Sequence, residues 1–312
     1  KIDILTGVGD YYKIDRLVDE KRSSFSNGVF LASEENDRVI TGSNYHAYVK
    51  LSEGCNQSCS FCAIPSFKGK LHSRTLESLE KEVTNLVKKG FKDFSFVSQD
   101  SSSYLRDLGH NDGLEQLIDA VEKIDGVKTA RILYLYPSTT TLNLIDKIAD
   151  SKVFVNYFDM PLQHISQNML KIMKRGKGAE KLIELMNYMR SKPNSFVRTT
   201  FIAGHPGESE EDFEELCSFV EEFGFDRGNV FSYSDEEGTS AETRDDKIEQ
   251  ELIDERAEIL GDIISQTTIK SLENDIGKSF EVYIDGESQE HEYLLSARKT
   301  IWAPQIDGEI YI

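Results

Sequence analysis

The chain alternates between short apolar runs and longer segments in which apolar residues recur every three or four positions. Six apolar runs, each closed by polar residues, glycine or proline, are typical of buried strands; they span 47–54, 93–100, 130–137, 155–164, 195–208 and 228–234. The segments between them have helical spacing; they span 75–90, 113–126, 142–151, 179–191 and 209–224. Strands that alternate with helices predict an α/β fold with a parallel sheet. Six such units without a glycine-rich dinucleotide fingerprint favour a whole or partial barrel over a doubly wound sheet, and we predict a partial (βα)6 barrel of the TIM type.

The pattern changes after the sixth strand. Residues 246–277 predict one long amphipathic helix, with an apolar face formed by Ile248, Leu252, Ile259 and Ile263. Strands predicted at 278–286 and 308–312 indicate a small, incomplete β module. We therefore divide the chain into four parts: a remnant and linker, the barrel, a connecting helix and the truncated β module. Their ranges are 1–45, 46–246, 247–275 and 276–312. A chain that begins without Met and stops within an apolar pattern is expected to be a fragment.

Composition adds a constraint on partners and location. A net charge of −19 disfavours binding to a nucleic-acid backbone and favours a basic partner, although such a charge also serves solubility alone. The sequence has no apolar run of membrane-spanning length and no signal peptide at its start, so no membrane association is expected. Four cysteines in 312 residues do not resemble a disulfide framework, and we predict a cytoplasmic protein.

Three of the four cysteines, Cys55, Cys59 and Cys62, lie within eight positions in the loop after the first predicted strand. A structural zinc site needs four ligands, usually in two pairs, so a zinc-stabilised binding module is a minority alternative. An iron–sulfur cluster held by three thiolates leaves one iron open to another molecule, and this interpretation is favoured. The fourth cysteine, Cys217, has the helical spacing of a core residue.

The spacing Cys-x-x-x-Cys-x-Phe-Cys, with Phe61 before the last cysteine, resembles the signature of the radical S-adenosylmethionine (SAM) enzymes. The resemblance implies a 4Fe–4S cluster whose open iron is chelated by the amino and carboxylate groups of SAM. It also implies reductive cleavage of SAM to a 5′-deoxyadenosyl radical that abstracts hydrogen from the substrate.

Further motifs over about residues 46–245 resemble the methylthiotransferases: EGCNQSCSFCAIPS, VSQDS, PLQH followed by MKRG, RTTFIAGHPGESEEDF and VFSYSDEEGTSA. PLQH with MKRG, YSDEEGTSA and the terminal APQIDGEIYI resemble the branch that modifies an aspartate of ribosomal protein S twelve (uS12). The tRNA-modifying branch is the nearest alternative, and the acidic charge argues against it. The resemblance further implies a preceding domain with a second 4Fe–4S cluster, a TRAM-like C-terminal module, and an electron donor such as flavodoxin or ferredoxin.

Four polar residues end or follow predicted strands at the carboxyl-terminal rim, where the active sites of such barrels lie. Gln99 and Asp100 end the second strand, where the resemblance implies binding of the SAM amino group; a loop that caps the next helix is the alternative. Gln163 and His164 follow the fourth strand and are expected to reach the ribose or the substrate. His164 is equally well explained as a hydrogen-bonded packing residue.

The fifth strand and its loop supply the remaining candidates. Arg198 lies within a strand that is expected to be buried on alternate positions, so its guanidinium needs an anion. The SAM carboxylate is one candidate for this anion, and an internal Asp or Glu is the other. Gly204, Pro206 and Gly207 are expected to let the backbone approach the adenine closely, although a tight turn uses the same residues.

Overall fold

Six parallel strands form one sheet, in the order in which they occur along the chain. They are His46–Lys50, Asp93–Val97, Thr129–Ile132, Phe154–Asp159, Phe196–Ala203 and Arg227–Ser232. The computed structural model describes residues 2–36 and 38–312; Lys1 and Asp37, both in the predicted 1–45 remnant, lie outside the described residues. The first and sixth strands are the two edges of the sheet, which confirms the predicted partial barrel.

Helices cross from each strand to the next, as the sequence predicts. They are Leu76–Lys88, Gly113–Val121, Leu142–Ala149, Ala179–Arg190 and Glu210–Phe223, with an additional short helix at Gln167–Ile172. Hydroxyl side chains start several of them: Thr75 and Thr141 each accept a backbone N–H three residues ahead, and Ser209 forms a capping box with Asp212. The apolar faces of these helices pack on the sheet in one continuous core.

The long helix is Gln250–Glu273, and its predicted apolar face is wrong by about one position. Its buried residues are Ile253, Arg256, Leu260, Ile264 and Thr267, whereas Ile259 is 43% exposed. Arg256 is buried because it pairs with Glu208 at 2.8 Å and with Glu210 at 2.9 Å, and a hydrophobic periodicity cannot include such a residue. No helix among the described residues combines the length and apolar character needed to cross a bilayer.

The C-terminal part contains a three-stranded antiparallel sheet formed by Val282–Glu287, Leu295–Lys299 and Ile310–Tyr311. It contacts the amino ends of the barrel strands, where Asp93 binds Arg131 at 2.8 Å and Arg298 at 2.6 Å. Trp302 packs with Phe196 and other residues of the barrel interior. This contact leaves the opposite rim, at the carboxyl ends of the strands, free for the loops described next.

Candidate cofactor site

The loop that carries the three cysteines is held tightly at its start. Gly54 has a φ of 80°, and a Cβ at this position would overlap the carbonyl oxygen of Lys70. The next residue is fixed as well, because the Cys55 N–H donates to the Gly69 carbonyl at 3.1 Å. The glycine before the first cysteine is therefore required by close backbone packing.

Cys55, Cys59 and Cys62 line one cavity of about 540 Å³ at the carboxyl ends of the strands. Burial, with smaller contributions from Asp100 and from the two neighbouring thiols, raises the pKa of Cys55 to about 11. Burial also raises the pKa of Cys62. Three neighbouring thiolates are therefore favoured only when a bound cation compensates their charge.

The arrangement of the donors distinguishes between two kinds of metal group. Among residues 2–36 and 38–312, no three His, Cys, Asp or Glu side chains converge on a point suited to a single metal ion. A 4Fe–4S cluster places each thiolate on a different iron, so its ligands need not converge. Three thiols that line one cavity without converging fit a cluster with one open iron better than they fit zinc.

Gln99 and Asp100 occupy different positions relative to this cavity. Gln99 lines it and donates to Glu53 at 3.1 Å, while its buried side-chain oxygen has no partner within the described part of the chain. Asp100 caps the turn at Ser101–Ser103 and accepts a hydrogen bond from Gln57 at 2.8 Å. Asp100 therefore holds the cysteine loop in place, because Gln57 belongs to that loop.

Gln163 and His164 are likewise separated. Gln163 has a φ of 72° and lines the cavity, and its side-chain oxygen is buried without a partner among the described residues. His164 is fully buried, and its Nδ1 accepts the N–H groups of Ile165 and Ser166, both at 3.0 Å. Its Nε2 lies 3.3 Å from Glu208. The Nδ1 contacts agree with the packing alternative, while Nε2 has no hydrogen-bond partner among the described residues and His164 is not part of the described cavity lining.

Arg198 lines the cavity, but an internal carboxylate already matches its charge. Its Nη1 donates to Asp159 at 2.9 Å, and its Nε lies 3.8 Å from Asp307 of the C-terminal module. Both carboxylates are fully buried. Asp159 is therefore an internal carboxylate of the kind that the sequence offered as an alternative to the SAM carboxylate.

The glycine-rich loop after the fifth strand packs against the C-terminal helix. A Cβ on Gly204 would lie 2.5 Å from Ile253, and one on Gly207 would lie 2.7 Å from Asp246; both glycines have positive φ. Pro206 is buried beside them. The described lining of the cavity includes none of these three residues, and their arrangement is that of a tight turn.

Two side chains that the sequence interpretation left without a role lie against the cysteines. Tyr136 follows the third strand, and its hydroxyl lies 3.6 Å from Cys59 Sγ. Arg175, from the MKRG motif, donates to the same sulfur at 3.3 Å. Tyr136 lies at the end of a predicted strand, so the sequence could have placed it at the rim. Arg175 is 116 residues from Cys59 in the sequence, so its contact with that sulfur could not be predicted.

Comparisons with known proteins identify the family of this chain. The sequence model of the Radical SAM superfamily matches residues 49–220. The whole chain is 80% identical to the ribosomal protein uS12 methylthiotransferase RimO of Aliarcobacter butzleri and covers 70% of it. It is 54% identical to the protein of the same name from Campylobacter jejuni strain RM1221 and covers 71% of it.

Solved structures resemble the fold at low sequence identity. Coproporphyrinogen III oxidase (HemN) from Escherichia coli, a radical SAM enzyme, gives a TM-score of 0.57 at 17% identity. That match covers 75% of this chain and 57% of the oxidase. The radical SAM methyltransferase TsrM from Kitasatospora setae gives 0.51 at 16% identity, over 64% of this chain and 38% of TsrM.

Proposed function

We propose a function from one premise: this chain belongs to the Radical SAM superfamily and, within it, to the ribosomal protein uS12 methylthiotransferases. The chain is a radical SAM methylthiotransferase, and its proposed reaction attaches a methylthio group to the β-carbon of an aspartate of uS12. The observation that carries the proposal is the set of three thiols that line the rim cavity, without convergence on a single-ion site among the described residues.

Cys55, Cys59 and Cys62 are the proposed ligands of a 4Fe–4S cluster, with SAM on the iron that the protein leaves open. When bound, this pair supplies a one-electron reductant and a hydrogen-abstracting radical. The chain itself supplies the three thiolates, the position of the cysteine loop and the shape of the cavity. Asp100 helps to position the cysteine loop through its hydrogen bond with Gln57.

The two glutamines that line the cavity are the proposed polar contacts of SAM. Gln99 and Gln163 each have a buried side-chain oxygen without a partner in the described chain, and such an oxygen is stabilised by a donor such as an amino group or a ribose hydroxyl. Aromatic side chains form much of the remaining wall and exclude water from the radical chemistry. They are Phe61, Tyr134, Tyr136, Phe231 and Tyr233.

The remaining candidates are proposed to act indirectly. Arg198 shapes the cavity wall while Asp159 neutralises it. His164 and the loop of Gly204, Pro206 and Gly207 hold the rim against the C-terminal helix. We propose that the cluster and SAM bind to the second of the four parts of the chain. The four parts are 1–45, 46–246, 247–275 and 276–312.

The proposed partners follow from charge and from the family. Ribosomal protein uS12 is the substrate, and a net charge of −19 favours a basic protein over tRNA. A flavodoxin or ferredoxin is the proposed electron donor. Further cysteines of a preceding domain are the proposed ligands of a second 4Fe–4S cluster. We propose that the reaction takes place in the cytoplasm.

Mass spectrometry of uS12 and of tRNA, each incubated with SAM, reductant and reconstituted enzyme, tests the function. The enzyme is assayed as this chain and as a longer chain that carries the preceding domain. Both are expected to form 5′-deoxyadenosine, and only the longer chain is expected to place a methylthio group on uS12. Modification of tRNA with uS12 unchanged would contradict the proposed substrate. Equal modification of uS12 by both chains would contradict the proposed need for a second cluster.

A further inference from the structure

Arg175 is buried at the rim although it belongs to a turn. It follows the short helix Gln167–Ile172, its N–H donates to the Leu170 carbonyl at 2.8 Å, and its side chain is 5% exposed. The preceding residue, Lys174, has a φ of 57° and is exposed to solvent. The turn thus directs one cation outward and the next one into the cavity.

The guanidinium of Arg175 makes three contacts there. Nη1 donates to Cys59 Sγ at 3.3 Å, Nη2 donates to the carbonyl of Pro161, and Cζ lies 4.3 Å from the centre of the Tyr136 ring. The third nitrogen, Nε, is buried and has no partner among the described residues. These contacts fix the orientation of the planar group but leave its positive charge uncompensated.

Arg175 differs in this respect from the other arginines of the interior. Five arginines are buried in the described chain, and four of them form an ion pair with Asp or Glu. Those four are Arg74, Arg131, Arg256 and Arg298. In the described residues, no carboxylate oxygen lies within 4.0 Å of the nitrogens of Arg175, although Glu236 lines the same cavity. An uncompensated buried charge is strongly unfavourable, so the site requires an anion.

We propose that Arg175 is the counter-charge of the iron–sulfur cluster and raises its reduction potential through Cys59. The inference rests on the cluster proposed above. The cluster accepts one electron from an external one-electron reductant, and no bond breaks and no proton moves in that step. Its reduced form is more negative by one charge, so a nearby cation and an N–H···S bond both stabilise the reduced form.

The competing interpretation assigns the charge of Arg175 to the carboxylate of SAM. The two interpretations differ when SAM is absent. A counter-charge of the cluster acts on the potential without SAM, whereas a ligand of the SAM carboxylate affects SAM affinity and leaves that potential unchanged.

The test is an anaerobic potentiometric titration of the reconstituted chain without SAM, with the reduced cluster followed by electron paramagnetic resonance. Arg175→Met and Arg175→Gln are expected to shift the one-electron equilibrium at least tenfold against reduction, which corresponds to a potential lower by about 59 mV. Arg175→Lys keeps the charge and is expected to fall between these variants and the wild type. Lys174→Gln removes the adjacent, exposed charge and is the matched control, with an unchanged potential expected.

Iron content and thermal unfolding of the iron-free proteins separate the possible failures. A wild-type chain that binds no iron contradicts the proposed function before the inference is reached. The iron-free Arg175→Met protein is expected to be at least as stable as the wild type, because it no longer buries an unpaired charge. An unchanged potential in either neutral variant would overturn the inference. Loss of iron from both neutral variants, with uptake retained by Arg175→Lys, would assign Arg175 to cluster assembly and would also overturn it.

Discussion

Replacing Arg198 by Met tests whether this cation belongs to the fold or to the cofactor. The substitution keeps a long side chain but leaves the buried Asp159 without its 2.9 Å partner, and it removes the cation 3.8 Å from the buried Asp307. Each carboxylate keeps one backbone hydrogen bond: Tyr134 N–H donates to Asp159 at 3.0 Å, and Ala303 N–H donates to Asp307 at 2.7 Å.

Removing one member of a buried ion pair costs ~3–5 kcal/mol of the free energy of unfolding. We expect about 3 kcal/mol for Arg198→Met at neutral pH, at the lower end of the range, because the backbone hydrogen bonds remain. Burial raises the pKa of Asp159 and of Asp307, and Arg198 opposes that rise. Without Arg198 both pKa values rise further, so the folded variant binds protons more readily than the folded wild type. The destabilisation is therefore largest at neutral pH and becomes smaller as the pH falls towards the ordinary carboxyl pKa of 3.8.

The assay is urea unfolding of the iron-free chain at a series of pH values, followed by circular dichroism. The double variant Arg198→Met/Asp159→Asn is the control, and it is expected to recover part of the loss because the amide carries no charge. A loss below about 1 kcal/mol, well under the range for a broken buried pair, would refute the reasoning. If SAM binding of that stable variant were weakened at least tenfold, Arg198 would instead be the partner of the cofactor carboxylate.

Three other substitutions test how the rim and the C-terminal module are held. Gly54→Ala adds a Cβ that overlaps a backbone carbonyl at a positive φ, so we expect iron uptake to fall several-fold in a metal assay; full uptake would contradict the packing argument. Arg298→Leu leaves Asp93 with one cation, and we expect a loss of ~3–5 kcal/mol in urea unfolding and faster proteolysis of the C-terminal sheet; unchanged values would contradict the docking role. Asp100→Ala frees Gln57 and also removes the cap of the turn at Ser101–Ser103, so we expect faster loss of iron to a chelator and a free energy of unfolding lower by about 1–2 kcal/mol; an unchanged rate of iron loss would remove Asp100 from the support of the loop.

Much of the fold was predictable because each strand and helix has its own local pattern. One rule, that loops after parallel strands gather at one edge of the sheet, predicts that the three cysteines, Gln99 and Gln163 lie close together, and all five line the same cavity. The strand Leu295–Lys299 was missed because its sequence, LSARK, contains a buried arginine where an apolar residue is expected. Arg256 displaced the predicted face of the long helix for the same reason.

The roles of individual polar residues depend on partners that are distant in sequence. Gln99 and Asp100 are adjacent, yet one faces the cavity and the other supports the loop. The sequence could not show that Asp159, 39 residues away, lies beside Arg198. Arg175 differs from Arg198, because no carboxylate lies within ion-pair distance of its buried guanidinium among the described residues.

The central claim, a cluster held by Cys55, Cys59 and Cys62, is tested most directly by measuring iron and acid-labile sulfide after anaerobic reconstitution of this chain. The account predicts about four of each per chain, as a 4Fe–4S cluster requires. It predicts the same values for Cys217→Ala, because Cys217 packs against the hydrophobic core and does not line the described cavity. Replacing any of the three cysteines by Ala is expected to abolish both. One zinc per chain without iron, or loss of the iron on changing Cys217, would contradict the account.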